Sequence, residues 1–529
     1  MKRLAALALL FAAPLSAQQV ERLDLDALNR IKWEAFNNSQ VMDHLFYLSD
    51  VYGPRVNNSA NYRAAAAWTM KRLESYGLKN VHLEPWGPFG DGWQFKKFYG
   101  ALVEPNYAPL IGFPLAWTPG TDGPVTGEAI LAPIKSQEDF AKYKGKLRGK
   151  IVLVAEPKDI QMHTEVEAKR WTQDELDART KVPDPSRLGG FGGARPAPGA
   201  PPPPSREAVL KLRNDTNRFL REEGALVVVN YGTNGDGGTV FATFGGSQNP
   251  ADPMPPPMVA ITPEHYNRIA RLLQKGFAPK LTFDIQTEYD KGDQMGFNIV
   301  GELPGTSKKD EIVMLGGHFD SWQGGTGATD NATGSSVAIE AVRILASLKK
   351  PMARTVRIAL WGGEEQGLLG SKFYVQQHFA PRDTMKTTPE YGKLVAYFND
   401  DSGSGRFRGI GVNGNLLTKS IFEQWIAPIR DLEMTTVLGT TAAPTAQPGG
   451  TDHTAFTWIG LNGYGFLQDP LEYASRTHHS NMDLYDRVQA GDVMQGAAIE
   501  AWFVYNTATR AEMLPRNPMP APLPASEKK

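Results

Sequence analysis

"EIVMLGGHFDSW", Glu311 to Trp322, is the stretch on which the fold turns. Ile312 to Leu315 read as a strand, and Gly316 and Gly317 are expected to turn the chain at its end, presenting His318 and Asp320 just beyond it. From Asn298 onward strand and helix alternate: "NIVGEL", "EIVML", the helix "SSVAIEAVRILASL", "TVRIALW", a helix around "GLLGSKFYVQQHF", then "GKLVAYF". Ala338, Ala341, Val342, Leu345 and Leu348 fall on one face of the first of these helices. The alternation predicts an α/β domain with a mostly parallel sheet covered on both faces.

An open sheet of that kind binds ligands beyond the carboxyl ends of its strands, where the loops converge. Acidic and imidazole side chains collect there. His318 and Asp320 follow "EIVML", Glu364 and Glu365 follow "TVRIALW", and Asp400 and Asp401 follow "KLVAYF". Asp330 lies in "GGTGATDNATG", and His478 and His479 lie in "THHSNMD". Singly, each has an ordinary explanation: glutamates at a helix start gain roughly 0.3–1 kcal/mol from its dipole, and an Asp pair before Ser-Gly suits a turn. Coincidence at one edge of one sheet has none. Imidazole and carboxylate suit zinc, and two ions about 3.5–4 Å apart need a carboxylate between them, with one further glutamate free to act as a general base.

The chain has 529 residues, 41% hydrophobic, with 56 basic against 57 acidic side chains. That length allows roughly two to four domains, and the charge balance gives no argument for a nucleic-acid or membrane-surface partner. Cysteine is absent, which excludes disulfides, thiol catalysis and thiolate ligands, so His, Asp and Glu must hold any metal. "MKRLAALALLFAAPLSAQQ" carries two positive charges, an apolar run and small residues up to Ala17. It is expected to be a signal peptide, residues 1–17, too short to span a bilayer of about 30 Å. No later apolar run is long enough to be an integral membrane segment, so a periplasmic or extracellular location, in a bacterium, is expected. Asn61 to Tyr76 reads as a scaffold helix stopped by Gly77.

Between about Pro124 and Tyr289, "KGKLRGKIVLVAEP", "GALVVVNYG" and "PPPMVAIT" are short β-branched runs separated by Gly and Pro, the texture of a strand-rich module. Within it, Gly189 to Glu207 is expected to be a mobile Pro/Gly-rich loop. The Thr440 to Gly450 stretch is expected to form a rim over the cleft.

The motifs "GGHFDSW", "GATDNATG", "WGGEEQGLLGS", "FNDDSG", "GGTDHTAF" and "RTHHSNMDLYD" stand in the order found in the co-catalytic di-zinc exopeptidases of clan MH, and the sequence resembles that family. The interval of twelve residues from His318 to Asp330 and the "RTHHSNMD" ending most resemble its carboxypeptidase Q branch. The resemblance implies a three-layer α/β/α zinc-exopeptidase domain formed by residues 18–123 and 290–512, an inserted protease-associated domain at 124–289, and a disordered tail at 513–529. It implies two Zn2+ ions per chain, with Asp330 bridging them, His318 and Asp401 completing one site, and Glu365 and His479 the other. Asp401 is preferred to Asp400 because the family pattern is Asn, any residue, Asp; His479 is preferred to His478 because it directly precedes the small hydroxyl residue.

Glu364 would be the general base, Asp320 would accept from the His318 ring, and Asp330–Asn331 is where the family tends to hold a strained peptide bond. Asp452 and His453 sit where relatives place substrate-side groups. The implied activity is hydrolysis of terminal bonds of short peptides, as an aminopeptidase, carboxypeptidase or dipeptidase, with no nucleic-acid partner and a homodimer left open. A one-zinc glutaminyl cyclase and a non-catalytic receptor on the same fold are the competing readings.

Overall fold

In the computed structural model the described residues are 20–181, 205–439 and 450–523. The signal segment, most of the Gly189–Glu207 loop and nearly all of the Thr440–Gly450 rim lie outside them.

Two eight-stranded sheets organise the chain. The first runs, edge to edge, Lys79–Trp86, Gly296–Leu303, Arg354–Trp361, Lys308–His318, Leu394–Asn399, Gly463–Gln468, Phe407–Gly411 and Thr436–Leu438. Its four central strands, from Arg354–Trp361 to Gly463–Gln468, are mutually parallel, whereas Lys79–Trp86, Gly296–Leu303 and Phe407–Gly411 join by antiparallel pairing. The α/β reading therefore holds, with a parallel centre and mixed flanks.

The helix Thr333–Ser347 is buried from Thr333 to Leu345 rather than on one face, with its Glu340 and Arg343 paired to each other. One side packs on the strand Lys308–His318; the other meets the helices Leu25–Asn37, Val41–Phe46 and Ala490–Thr509. The scaffold helix forms at Ala60–Ser75: the Ser59 hydroxyl caps it by accepting from the Tyr62 N–H, and Gly77 ends it at φ 89°. It buries Tyr62, Ala65, Ala66, Thr69 and Leu73.

Gly316 and Gly317 do not turn the chain. Both lie within the strand, opposite Ala359 and Leu360. Their lack of a side chain serves close approach: a Cβ on Gly316 would lie 1.8 Å from the Ala359 carbonyl oxygen, and one on Gly317 would lie 2.6 Å from that of Asp400.

The second sheet runs Ala108–Pro109, Gly92–Glu104, Lys280–Asp290, Val125–Leu131, Ile151–Leu153, Val227–Asn230, Met258–Ile261 and Gly112–Pro114. Three of these strands precede residue 124, so by strand pairing the strand-rich unit starts near Gly92. Sequence texture missed this because Gly92–Glu104 has two buried blocks around a more exposed middle, without strand alternation, and finds its partner, Lys280–Asp290, nearly two hundred residues later. The tail is also ordered at its start. Leu514 is buried, and the Pro515 carbonyl accepts from the side-chain amides of Asn415 and Asn462. None of the helices among the described residues is long and apolar enough to cross a membrane.

Beneath the helix Thr333–Ser347, His44 is fully buried, 2.7 Å from the Tyr76 hydroxyl and 3.9 Å from Glu340. Burial, reinforced by the charges of Arg72 and Arg343, pushes its pKa down to about 3 from an ordinary 6.5. Below pH 6.5 the unfolded chain takes up a proton that the native state refuses, so the imidazole costs about 1.4 kcal/mol of stability per pH unit down to about pH 3. Thermal midpoints measured from pH 7 to pH 4 should therefore fall less steeply for His44→Gln than for the wild type; parallel slopes would refute this assignment.

Candidate metal centre

The topology gathers the candidate residues at one edge. His318 closes its strand opposite Trp361, and Gly316 of the same strand stands opposite Asn399. Glu364 and Glu365 therefore follow the neighbour on one side of His318, and Asp400 and Asp401 follow the neighbour on the other. Asp330 arrives from the irregular turn Ala328–Ala332, where the Asp330–Asn331 peptide is cis.

His318 Nε2 lies 3.2 Å from Asp330 Oδ1 and 3.3 Å from Asp401 Oδ1. On the other side, His479 Nε2 lies 3.2 Å from Asp330 Oδ2 and 2.8 Å from Glu365 Oε2. Asp330 thus presents one carboxylate oxygen to each imidazole. Donor atoms of His318, Asp330 and Glu365 lie within 4.8 Å of one another, as do those of Asp330, His478 and His479. His478 stacks on His479 with ring centres 3.7 Å apart, but among the carboxylates of the described residues it pairs with Asp330 alone, at 3.7 Å, and it is the more exposed of the two. Asp401 faces His318, while Asp400 is completely buried and neither of its carboxylate oxygens has a hydrogen-bond partner among the described residues.

The Asp320 contact differs from the expected one. The His318 Nδ1 is 3.0 Å from the main-chain carbonyl of Asp320 and 3.7 Å from its carboxylate, which instead accepts from the Glu364 N–H at 3.2 Å. Asp320 orients the ring through its backbone and ties the Glu364 turn through its side chain. Asp452 is completely buried, and His453 is half-buried with its ring against Gly465.

Electrostatics mark the cluster. Burial, then the neighbouring carboxylates, push Glu364 and Glu365 well above the ordinary carboxyl range. Burial raises Asp452 to about 8 and Asp483 to about 7, and lowers His453 to about 4. Burial also opposes charge on His318, but Asp401, Glu364, Asp320 and Asp330 outweigh it and hold that imidazole well above its usual value. Asp330 moves the other way, because His318, His478 and His479 outweigh its desolvation. Asp330 Oδ2 and Glu365 Oε1 are buried without a hydrogen bond, so the acceptors exceed the protein donors available to them. A buried and two partly exposed imidazoles with surplus carboxylate oxygens in this arrangement fit divalent metal.

Two supports were not singled out from sequence. The fully buried Arg55 guanidinium donates to the carbonyls of Leu48, Phe319, Thr326 and Gly327, fixing the loop between His318 and Asp330. Asp483, from "RTHHSNMD", accepts from the Thr329 N–H and hydroxyl, at 2.5 and 2.8 Å, beside Asp330. The only local signals were an arginine inside the "GPRVNN" turn and a final acid in the histidine motif.

Residues 298–501 match the profile of peptidase family M28. Carboxypeptidase Q of Homo sapiens is 25% identical over 478 residues, spanning 90% of this chain and 86% of that protein. The Mus musculus protein of the same name is 24% identical over 477 residues, spanning 90% and 87%. Among solved structures, a peptidase M28 precursor from Shewanella amazonensis SB2B superposes with a TM-score of 0.64 at 21% identity, covering 94% of this chain and 98% of its own. The zinc aminopeptidase BSAP from Bacillus subtilis does so at 0.54 and 19%, covering 89% and 95%. The profile match begins at the strand that leads into "EIVMLGGHFDSW" and takes in every residue that meets at Asp330; over this region the chain is similar to peptidase family M28, and it is a metallopeptidase.

Proposed function

We propose that this chain is an exported, zinc-dependent exopeptidase that removes terminal residues from short peptides. The observation that carries the reading is the Asp330 carboxylate, which offers Oδ1 to His318 and Oδ2 to His479. A carboxylate so divided suits two ions rather than one. His318 and Asp401 would hold the first zinc, Glu365 and His479 the second, and Asp330 both. Such ions polarise a carbonyl and acidify water.

Glu364 acts as the general base: it takes a proton from the attacking water and returns it to the leaving amine, which balances the hydrolysis. Its neighbours prepare it for that task. Asp320 fixes its main chain, and burial among other carboxylates raises its proton affinity, which suits a group that must hold a proton and then release it. The export reading rests on the N-terminal sequence; N-terminal sequencing of secreted material should show a chain starting near Gln18.

Glu364→Gln should keep its metal and lose turnover by roughly 10²–10⁴-fold, the usual range for a positioned base. A variant that retained wild-type rates on a dipeptide would remove Glu364 from the mechanism. Elemental analysis of the dialysed protein should find two zinc ions per chain, and none in Asp330→Ala; one per chain in the wild type would favour the glutaminyl cyclase reading. Resemblance to carboxypeptidase Q leaves the recognised end of the substrate to be measured. On a panel of free, N-blocked and C-amidated dipeptides, loss on the N-blocked members alone identifies an aminopeptidase, and loss on the amidated members alone a carboxypeptidase.

A further inference from the structure

The segment that carries His479 is held on two sides by the strand-rich unit. Upstream, Lys169 and Leu471 exchange main-chain hydrogen bonds of 3.1 and 2.8 Å, and the buried Asp469 accepts from the Trp171 N–H and from Arg170, both at 2.9 Å. Downstream, residues 238–242 pair with 479–481 in antiparallel fashion. The Ala242 N–H donates to the His479 carbonyl at 3.2 Å and the Asn481 N–H to Val240 at 3.3 Å. The Asn481 side chain accepts from the Val240 N–H at 2.7 Å and donates to the Gly238 carbonyl at 3.1 Å.

Between these two grips lies Arg476. Its Nε donates to Glu167 at 2.7 Å, and its Nη1 donates to the Asp236 carbonyl, the Asp236 carboxylate and the Thr239 hydroxyl at 2.9, 3.1 and 2.9 Å. His163 joins the two acids, 2.9 Å from Glu167 and 2.7 Å from Asp236. One guanidinium thus ties two separate stretches of the strand-rich unit to a residue three positions before His479. The need for such a tie is visible in the backbone: His479 has φ 61°, a left-handed conformation that a histidine does not favour unaided.

We propose that the strand-rich unit is a working part of the metal centre, with Arg476 and Asn481 as positioning residues that hold His479 against Asp330 and Glu365. The proposal rests on the metallopeptidase reading and goes beyond it, because it assigns a task to a unit that contributes no ligand. On the His318–Asp401 side the ties to the strand-rich unit lie farther from the ligands: Gln323, five residues past His318, donates to the Pro114 and Thr243 carbonyls, and Arg408, seven past Asp401, donates to that of Trp171, so the effect should fall mainly on the His479 site.

The test is zinc affinity, measured by chelator competition on the full mature chain, alongside the thermal midpoint of the zinc-free protein. Arg476→Ala should weaken one of the two zinc ions by roughly tenfold to a hundredfold, as loss of a supporting partner does at other metal sites, and leave the other near its wild-type affinity, while the zinc-free midpoint stays near the wild type. If the arginine acts through the acid it contacts, Arg476→Ala with Asp236→Ala should lose no more affinity than the larger single effect. Asn481→Ala leaves the Arg476 network in place and should show the same one-site loss, so a folding failure of either variant does not remove the test. Wild-type zinc affinity in both Arg476→Ala and Asn481→Ala overturns the proposal, as does a loss of zinc matched by a collapse of the zinc-free midpoint in both. Wild-type protein that takes up no zinc overturns this proposal and the metallopeptidase reading together.

Discussion

Crowded negative charge is the constraint around which this molecule is arranged. Asp320, Asp330, Asp452 and Asp483 are buried, and Glu364, Glu365 and Asp401 close the same cluster. An ionised carboxylate buried alone is far too costly to keep, and neighbours of like sign make it worse. The upward displacement of Glu364, Glu365, Asp452 and Asp483 expresses that cost. His318 answers part of it and Arg55 another part. The Arg55 guanidinium, itself pushed down to about 10 by burial, feels Asp483, Asp320 and Asp330. Several carboxylates against so few fixed cations leave a deficit of positive charge that divalent ions in the proposed sites would fill, so binding metal and stabilising this part of the fold become the same event.

Holding those carboxylates together requires backbone precision, and the parallel centre of the first sheet supplies it. Adjacent parallel strands end at the same edge, so His318, the Glu364–Glu365 pair and Asp401 are brought together by strand register rather than by loop conformation. Gly316 and Gly317 permit the close approach of Ala359 and Asp400 on either side. Larger side chains there would separate the strands whose ends carry the site.

Strand pattern and motif order made the α/β domain and the five meeting residues legible in the sequence, because each of those signals is local. Three other features were not. The start of the strand-rich unit near Gly92 depends on pairing with Lys280–Asp290, which leaves no local mark. The role of Gly316 and Gly317 was misread because a glycine pair at a strand end has the same composition whether it turns the chain or admits a neighbour. Arg55 supports the site through main-chain carbonyls of Phe319, Thr326 and Gly327, and a carbonyl carries no residue-specific signal. Asp320 illustrates the same limit: its identity was noticed, but its carbonyl makes the closer contact with His318.

The strand-rich unit meets the proposed metal centre both at the backbone of His479 and at the aromatic rings beside it. A left-handed histidine costs about 1–3 kcal/mol and persists only where its surroundings impose it; here they are residues 238–242, paired with 479–481. Two residues further along the same stretch, Phe244 packs on Trp322 with ring centres 5.7 Å apart, and Trp322 meets the His479 ring edge-on at 6.3 Å. Trp322 also leans on Trp117, another residue that lies between strands of the second sheet. The aromatic wall beside the proposed zinc site therefore has parts from both sheets, and the segment that builds it is the one that holds His479. In the proposed zinc site, the same segment that positions His479 also packs the rings beside it, which gives a ligand-free unit a physical reason to be kept in the chain.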